Sequence, residues 1–137
     1  MPVDTDRAVA ALILNRRGEA LLVRRGKEET WPGYWVLPGG SVKEGENSEQ
    51  ALVRETMEEV GLQFKPLRHL KTGRTPSRKV IEYWLGNAEG VICLAPGEVD
   101  AWEWIGQDRL VDRDDLLPAM RRELHEMIDM GIFPVEV

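Results

Sequence analysis

The stretch GSVKEGENSEQALVRETMEEVGL, residues 40–62, decides the fold. Its second part has the start and stop signals of a helix. Asn47 can cap the first turn, and Gln50, three residues later, can complete a capping box. No proline or glycine follows before Gly61, whose position suits a left-handed C-terminal cap. The sequence therefore predicts a helix that ends at Val60.

This helix carries three glutamates that share one face. At 100° per residue, Glu55, Glu58 and Glu59 fall on a single stripe, which we expect to point outward. The opposite arc is expected to pack against a sheet and consists of Leu52, Val53, Thr56, Met57 and Val60. Like charges at this spacing destabilise a helix by about 0.2–0.5 kcal/mol per pair. A divalent cation would offset that repulsion, so the stripe indicates either a metal site or a solvated acidic face, which is the more common case.

The glycine and charged positions of this stretch resemble the Nudix box of the Nudix hydrolases over 23 consecutive positions: Gly40, Glu46, Arg54-Glu55, Glu58-Glu59 and Gly61. There is one departure, because Thr56 stands where the family usually has an aliphatic residue. The resemblance implies the Nudix fold, an α/β/α sandwich with a mixed β-sheet between helices. The order of strands, helix, strands and terminal helix along the chain independently predicts a layered α/β domain.

The resemblance also implies the roles of the box residues. The carboxylates of Glu55, Glu58 and Glu59 and the backbone carbonyl of Gly40 would bind Mg²⁺, with Mn²⁺ as a substitute. Mg²⁺ suits phosphate chemistry because it takes hard oxygen ligands and keeps several waters. Glu58 and Glu59 are therefore also catalytic candidates. Arg54 is another, since an arginine can hold a carboxylate in a fixed orientation.

A general base is not settled by the box. Glu103, inside Trp102-Glu103-Trp104, resembles the position of the base in members that cleave nucleoside triphosphates. Glu98 lies five residues earlier in a predicted loop and is the competitor. A box glutamate, or a metal-activated water without a separate base, also remains open.

Four residues are candidates for holding the substrate: Arg24, Arg25, Trp35 and Glu46. The two arginines end the second predicted strand, where related nucleotide hydrolases place an arginine that contacts phosphate. Trp35, like its neighbours Trp31 and Tyr34, could stack on a nucleobase, a contact worth about 1–3 kcal/mol. Glu46 matches a family position that supports the site.

A basic stretch, residues 65–79, contains Lys65, Arg68, Lys71, Arg74, Arg78 and Lys79. In an acidic protein this stretch could attract a polyanionic substrate, or it could be a solvated loop that balances the acidic helix. Pro76 lies in this region, where members that cleave ADP-ribose often carry a proline.

The remaining elements follow from hydrophobic runs and turn residues. Residues 1–6 are expected to be loose, and residues 8–14 and 20–25 to form a hairpin with one strand buried on both faces. Further strands are predicted at 34–37, 63–72, 79–85, 91–94 and 102–105, with a turn at Pro38-Gly39-Gly40. A second helix is predicted at 114–130.

The whole chain of 137 residues predicts one domain, with a formal net charge of −6. This charge argues against a broad nucleic-acid or membrane surface. The single cysteine, Cys93, excludes an internal disulfide and a zinc-type cluster. We expect a cytoplasmic protein, and the resemblance makes a homodimer plausible.

The leading functional hypothesis is a Mg²⁺-dependent hydrolase of a nucleoside diphosphate linked to another moiety. The substrate would be a nucleoside triphosphate or a nucleotide sugar such as ADP-ribose, and water would attack phosphorus to split the pyrophosphate. The alternative is a catalytically silent Nudix-fold module that senses a nucleotide. Such modules typically lose box glutamates, whereas this chain keeps all three.

Overall fold

The computed structural model describes residues 3–75 and 77–136, with side chains from residue 6 onward. Pro76 therefore lies outside the described residues. The elements in chain order are β1 (Val3–Ile13), β2 (Glu19–Arg25), β3 (Trp35–Val36), β4 (Gly39–Lys43), α1 (Ser48–Val60), β5 (Gln63–Arg74), β6 (Val80–Glu89), β7 (Val99–Gly106), α2 (Gln107–Leu110) and α3 (Pro118–Asp129). No helix in this described part is long and apolar enough to cross a bilayer.

The strands form two sheets. The larger sheet has the order β4-β1-β6-β5, and it is mixed because β1 and β6 are parallel while the other pairs are antiparallel. The smaller sheet, β3-β2-β7, is antiparallel. Arg7 of β1 donates to Ser48 of α1, whereas Lys71 of β5 donates to Glu123 of α3. The two helices thus cover the larger sheet, which is the α/β/α sandwich expected from the sequence.

The two most completely buried stretches of the core belong to β1 and β2. Every residue of the run 9–14 is at most 3% exposed, so β1 is buried on both faces as predicted. Residues 20–23 of β2 are fully buried. Each buried leucine or valine of this kind stabilises the fold by about 1.5–3 kcal/mol. The ends of these two strands therefore have a rigid support.

Helix α1 has the predicted caps. The Asn47 side chain accepts from the backbone N–H of Gln50, the Gln50 side chain accepts from the Asn47 N–H, and Gly61 adopts a left-handed φ of 71°. The predicted buried face is partly wrong, since Val53 and Met57 are 39% and 49% exposed. The helix is rotated so that its buried face comprises Ser48, Ala51, Leu52, Thr56 and Val60. Glu55 and Glu59 are accordingly half-buried, whereas Glu58 is exposed.

Several other predictions about the strands are wrong, because strands pair with partners that are distant in the sequence. The strands β1 and β2 enter different sheets and share only the Leu14–Ala20 bridge, so they form no regular hairpin. β1 begins at Val3, within the residues expected to be loose, because it pairs with β4. That pairing also places Gly39 and Gly40 in a strand. Residues 91–94 form no strand, and α3 is shorter than predicted.

Candidate active site

A cavity of about 550 Å³ opens between α1, the start of β4 and the loop that follows β2. Its base is apolar and includes residues of β1, β6 and α3. Its polar lining comes from five separate parts of the chain. These are the segment after β2 (Arg25, Glu28, Glu29 and Thr30), the start of β4 (Gly39, Gly40 and Ser41), the three glutamates of α1, Lys79, and Glu98. The cavity thus brings together the box residues and side chains distant in sequence.

Gly39 and Gly40 allow α1 to approach β4 closely. A Cβ atom on Gly40 would lie 2.5 Å from the carboxylate of Glu55, and one on Gly39 would lie 2.1 Å from the Val9 carbonyl. The Gly39 N–H donates to Oε1 of Glu59 at 3.1 Å. Glycine at position 40 therefore leaves room for the Glu55 carboxylate, and glycine at position 39 leaves room for the backbone of β1.

Arg54 holds the other side of the box together. Its guanidinium makes a paired contact with Glu46, at 2.7 and 2.9 Å, and also donates to the Ser41 carbonyl. It further donates to Glu55 at 2.9 Å and to Glu58 at 3.1 Å. The hydrogen bond from Arg54 lowers the pKa of Glu46. Arg54, itself held by Glu46, therefore positions the carboxylates of Glu55 and Glu58. Neither Arg54 nor Glu46 is among the described residues that line the cavity.

Glu55 and Glu59 carry an electrostatic cost. Burial raises the pKa of Glu55, against the opposing effect of Arg54. Burial is the main cause that raises the pKa of Glu59 to about 8, with the Gly39 N–H acting against it and the charges of Glu55, Glu98 and Glu29 adding to it. A buried carboxylate surrounded by other carboxylates is stable in its charged form only if a cation lies beside it.

The carboxylates are not already gathered as a closed set of ligands. Within the described ranges, no group of three or more His, Cys, Asp or Glu side chains has an arrangement ready to hold a metal ion. Arg54 occupies one oxygen of Glu55 and one of Glu58. The donor set nevertheless suits a hard divalent cation, because it consists of carboxylate oxygens.

Glu98 is positioned by a contact between two loops. The Gly26 N–H donates to the Glu98 carbonyl at 2.8 Å, and the Glu28 N–H donates to the Gly97 carbonyl at 3.1 Å. A Cβ atom on Gly26 would lie 2.3 Å from the Gly97 carbonyl oxygen. We call this contact the Gly26–Gly97 seam. It fixes the backbone of Glu98, whose exposed side chain lines the cavity.

The two candidate arginines have different surroundings. Arg25 lines the cavity, and its guanidinium donates to the carbonyl and the hydroxyl of Thr30. Arg24 points elsewhere, since it forms an ion pair of 2.6 Å with Asp100 and lies 5.9 Å from the ring centroid of Trp35. Arg24 is not among the described residues that line the cavity.

Glu103 and Trp35 also lie apart from the described cavity lining. Arg113 donates to Glu103 at 2.6 Å and to Asp115 at 2.7 Å, and its guanidinium lies 4.9 Å from the Trp35 ring centroid. The geometry thus brings Glu98, and not Glu103, next to the box glutamates.

Sequence reasoning missed five residues that line the cavity: Glu28, Glu29, Thr30, Ser41 and Lys79. The charged loop after β2 was a usable signal for the first three, because they follow Arg25 directly. Lys79 was noted only as one member of the basic stretch. Much of that stretch lies in β5, and only Lys79 of its six cations is among the residues described as lining the cavity.

Comparison with known proteins gives consistent matches. The family model described as NUDIX domain matches residues 4–128. The chain is 32% identical over 124 residues to the 8-oxo-dGDP phosphatase NUDT18 of Danio rerio, covering 90% of this chain and 37% of that protein. It is 42% identical over 66 residues to the RNA pyrophosphohydrolase of Cronobacter sakazakii, covering 48% of this chain and 35% of that protein. The chain therefore spans little more than a third of these relatives.

Among solved structures, the MutT protein from Methanosarcina mazei Go1 superposes with a TM-score of 0.78. The superposition covers 91% of this chain and 94% of that one at 24% sequence identity. At this identity the likeness concerns the fold alone, and it agrees with the sandwich described above.

Proposed function

Because the chain belongs to the NUDIX domain family, we propose that it is a metal-dependent hydrolase. Its substrate would be a nucleoside diphosphate linked to another moiety, and the bond cleaved would be the pyrophosphate bond. The observation that carries this proposal is the state of Glu59. This buried carboxylate lies beside Glu55 and Glu98, and no cation forms an ion pair with it in the described part of the chain.

The residues present fit a divalent cation such as Mg²⁺. Glu55, Glu58 and Glu59 would hold it, together with the Gly40 carbonyl, and Mn²⁺ would replace it. The close approach of Gly40 to the Glu55 carboxylate supports this set, since it leaves no room for a side chain between them. When bound, the cation would neutralise charge on phosphoryl oxygens. The protein itself would hold the carboxylates in place, and Arg54 does so for Glu55 and Glu58 by donating a hydrogen bond to each.

We propose Glu98 as the general base in preference to Glu103. A base must come within hydrogen-bond reach of the attacking water, so it has to share the cavity with the substrate. Glu98 lines the cavity and contributes to the raised pKa of both Glu55 and Glu59. Glu103 is instead held by Arg113. Glu98 would accept a proton from water as the water oxygen attacks phosphorus.

Arg25 would contact the phosphates, because it is the candidate arginine that lines the cavity. Nucleoside triphosphates and nucleotide sugars such as ADP-ribose both remain substrates to test. The names of the relatives add two further classes, an oxidised guanine nucleotide and RNA. The expected homodimer stays a prediction.

The test is a cleavage panel with Mg²⁺ and the purified protein. The panel contains nucleoside triphosphates, 8-oxo-dGDP, ADP-ribose, dinucleoside polyphosphates and a short RNA with a 5′-triphosphate. We expect at least one to give a phosphomonoester product, with turnover lost in Glu59→Gln. If the wild-type protein binds a nucleotide but cleaves none of them, the chain is a nucleotide-sensing module and the hydrolase proposal is wrong.

A further inference from the structure

We propose that Lys79 and Ser41, here called the Lys79–Ser41 pair, bind a phosphoryl group of the substrate. This inference rests on the proposed function, since it assigns a substrate contact in the same cavity. The Nζ atom of Lys79 donates to Oγ of Ser41 at 2.6 Å, and both residues line the cavity. Ser41 belongs to β4 and Lys79 directly precedes β6, so the two residues are 38 positions apart in the chain.

The backbone fixes where Lys79 points. The Thr75 N–H donates to the Lys79 carbonyl at 2.9 Å, and the Lys79 N–H donates to the Thr75 hydroxyl at 3.0 Å. Lys79 is followed directly by β6, and Ile81, two residues later, lines the same cavity as Lys79.

Sheet pairing brings Ser41 to the same place. Ala8 of β1 pairs with Ser41 on one side and with Ile81 on the other. The backbone carbonyl of Ser41 accepts from Arg54, so the position of Ser41 is tied to the box. The Lys79–Ser41 pair is therefore built into the edge of the site by the strand order β4-β1-β6.

Lys79 differs from several other half-buried cations of the described chain in its partners. Three of them have carboxylate partners: Arg54 has Glu46, Lys71 has Glu123, and Arg113 has Asp115. No described carboxylate lies within ion-pair distance of the Lys79 ammonium, which donates to a neutral hydroxyl. An ammonium has three N–H donors. The remaining donors can serve an anionic ligand that enters the cavity.

A competing explanation is that Lys79 only balances the acidic side chains of the cavity. Under that explanation, loss of its charge would change metal affinity or folding. Under our proposal, its loss would weaken phosphate binding and leave metal binding unchanged. The two explanations thus differ in a measurable way.

The experiment compares Lys79→Met and Ser41→Ala with Lys65→Met as a matched control. Lys65 belongs to the same basic stretch, is exposed on β5, and is not among the described residues that line the cavity. The probe is imidodiphosphate, a pyrophosphate analogue that resists hydrolysis, titrated by calorimetry in the presence of Mg²⁺. Affinity for Mn²⁺ alone is measured by electron paramagnetic resonance.

For Lys79→Met we expect imidodiphosphate affinity to fall on the order of 10- to 100-fold, the value of a charge-assisted hydrogen bond. Ser41→Ala should fall by about threefold to tenfold, and Lys79→Arg should restore most of the affinity. Lys65→Met should change it by less than about twofold. With a cleaved nucleotide, KM should rise in Lys79→Met more than kcat falls.

Unchanged imidodiphosphate affinity in Lys79→Met, or a parallel loss of Mn²⁺ affinity, would overturn the proposal. So would an absence of imidodiphosphate binding by the wild-type protein. Because this titration does not require turnover, it decides the role of the Lys79–Ser41 pair even if no nucleotide in the panel is cleaved. Failure of the hydrolase proposal is then seen separately, in the cleavage panel.

Discussion

Two arginine-centred clusters in this molecule look alike and differ in one respect. Arg54 lies among Glu46, Glu55 and Glu58, and Arg113 lies between Glu103 and Asp115. In both clusters, the hydrogen bonds that the arginine donates to carboxylates raise its pKa. Each arginine side chain is about one-fifth exposed. The two clusters thus share a central arginine that donates to more than one carboxylate.

The difference lies in what surrounds each cluster. Glu55 of the first cluster raises the pKa of Glu59, a buried carboxylate at the wall of the cavity. Next to Arg113 lies the Trp35 ring, and the two carboxylates there each have the arginine as partner. Unbalanced charge, and not the number of acidic residues, therefore separates the candidate site from a structural ion-pair cluster.

The largest expected effect tests this separation on turnover. In Glu98→Gln, kcat should fall about 100- to 10,000-fold, because a general base contributes that much to the rate. Glu103→Gln should keep kcat within about threefold, since its carboxylate is held by Arg113 away from the cavity. Steady-state kinetics on the best substrate of the panel measure both. A steep loss in Glu103→Gln alone would make the Arg113 cluster catalytic and break the comparison.

A second, smaller effect concerns metal and stability. At free Mg²⁺ of 100 times its Kd, binding should stabilise the wild-type protein by about 2.7 kcal/mol. Thermal unfolding with and without Mg²⁺ would show this as a rise in Tm of several degrees. The rise should be largely lost in Glu59→Gln and fully retained in the control Glu103→Gln. Equal rises in all three proteins would remove Glu59 from the proposed ligand set.

The smallest expected effect is on the Arg113 cluster itself. Arg113→Met should lower the free energy of unfolding by up to about 1 kcal/mol at pH 7, the range of partly exposed ion pairs. Arg113 lowers the pKa of Asp115, so the pair contributes above the ordinary carboxyl pKa of about 3.9. That contribution is lost as pH falls through the lowered pKa of the folded state.

Urea unfolding of wild type and Arg113→Met at pH 7 and below pH 3 measures this effect, with kcat as the second readout. The stability difference should shrink in acid, and turnover at pH 7 should stay within about twofold. A large loss of turnover would show that the Arg113 cluster supports the reaction after all.

Local signals explain what the sequence predicted well. The capping box of Asn47 and Gln50 and the left-handed Gly61 are contacts within a few residues, so the bounds of α1 followed from them. The buried face of α1 did not. Val53 and Met57 are apolar and exposed, whereas Glu55 and Glu59 are partly buried, because the helix turns its glutamates towards a cavity built by distant strands.

The parts that could not be predicted depend on contacts across the chain. Our proposal of Glu98 over Glu103 depends on the Gly26–Gly97 seam, which joins loops about 70 residues apart. Lys79 was one of six similar cations in its stretch, and only the pairing of Ala8 with both Ser41 and Ile81 singles it out. Spacing along the sequence carries no record of these neighbours.

The Gly26–Gly97 seam also has a mechanical consequence. A methyl group on Gly26 would overlap with the Gly97 carbonyl. It would therefore push the segment after Arg25 away from the loop that carries Glu98. Such a change alters no charge and touches no buried core residue. The exposed tip of the loop after β2, at Trp31, has room for substitution, whereas the Gly26–Gly97 seam has no room for a side chain. The alignment of the site therefore depends on the smallest side chains in the molecule.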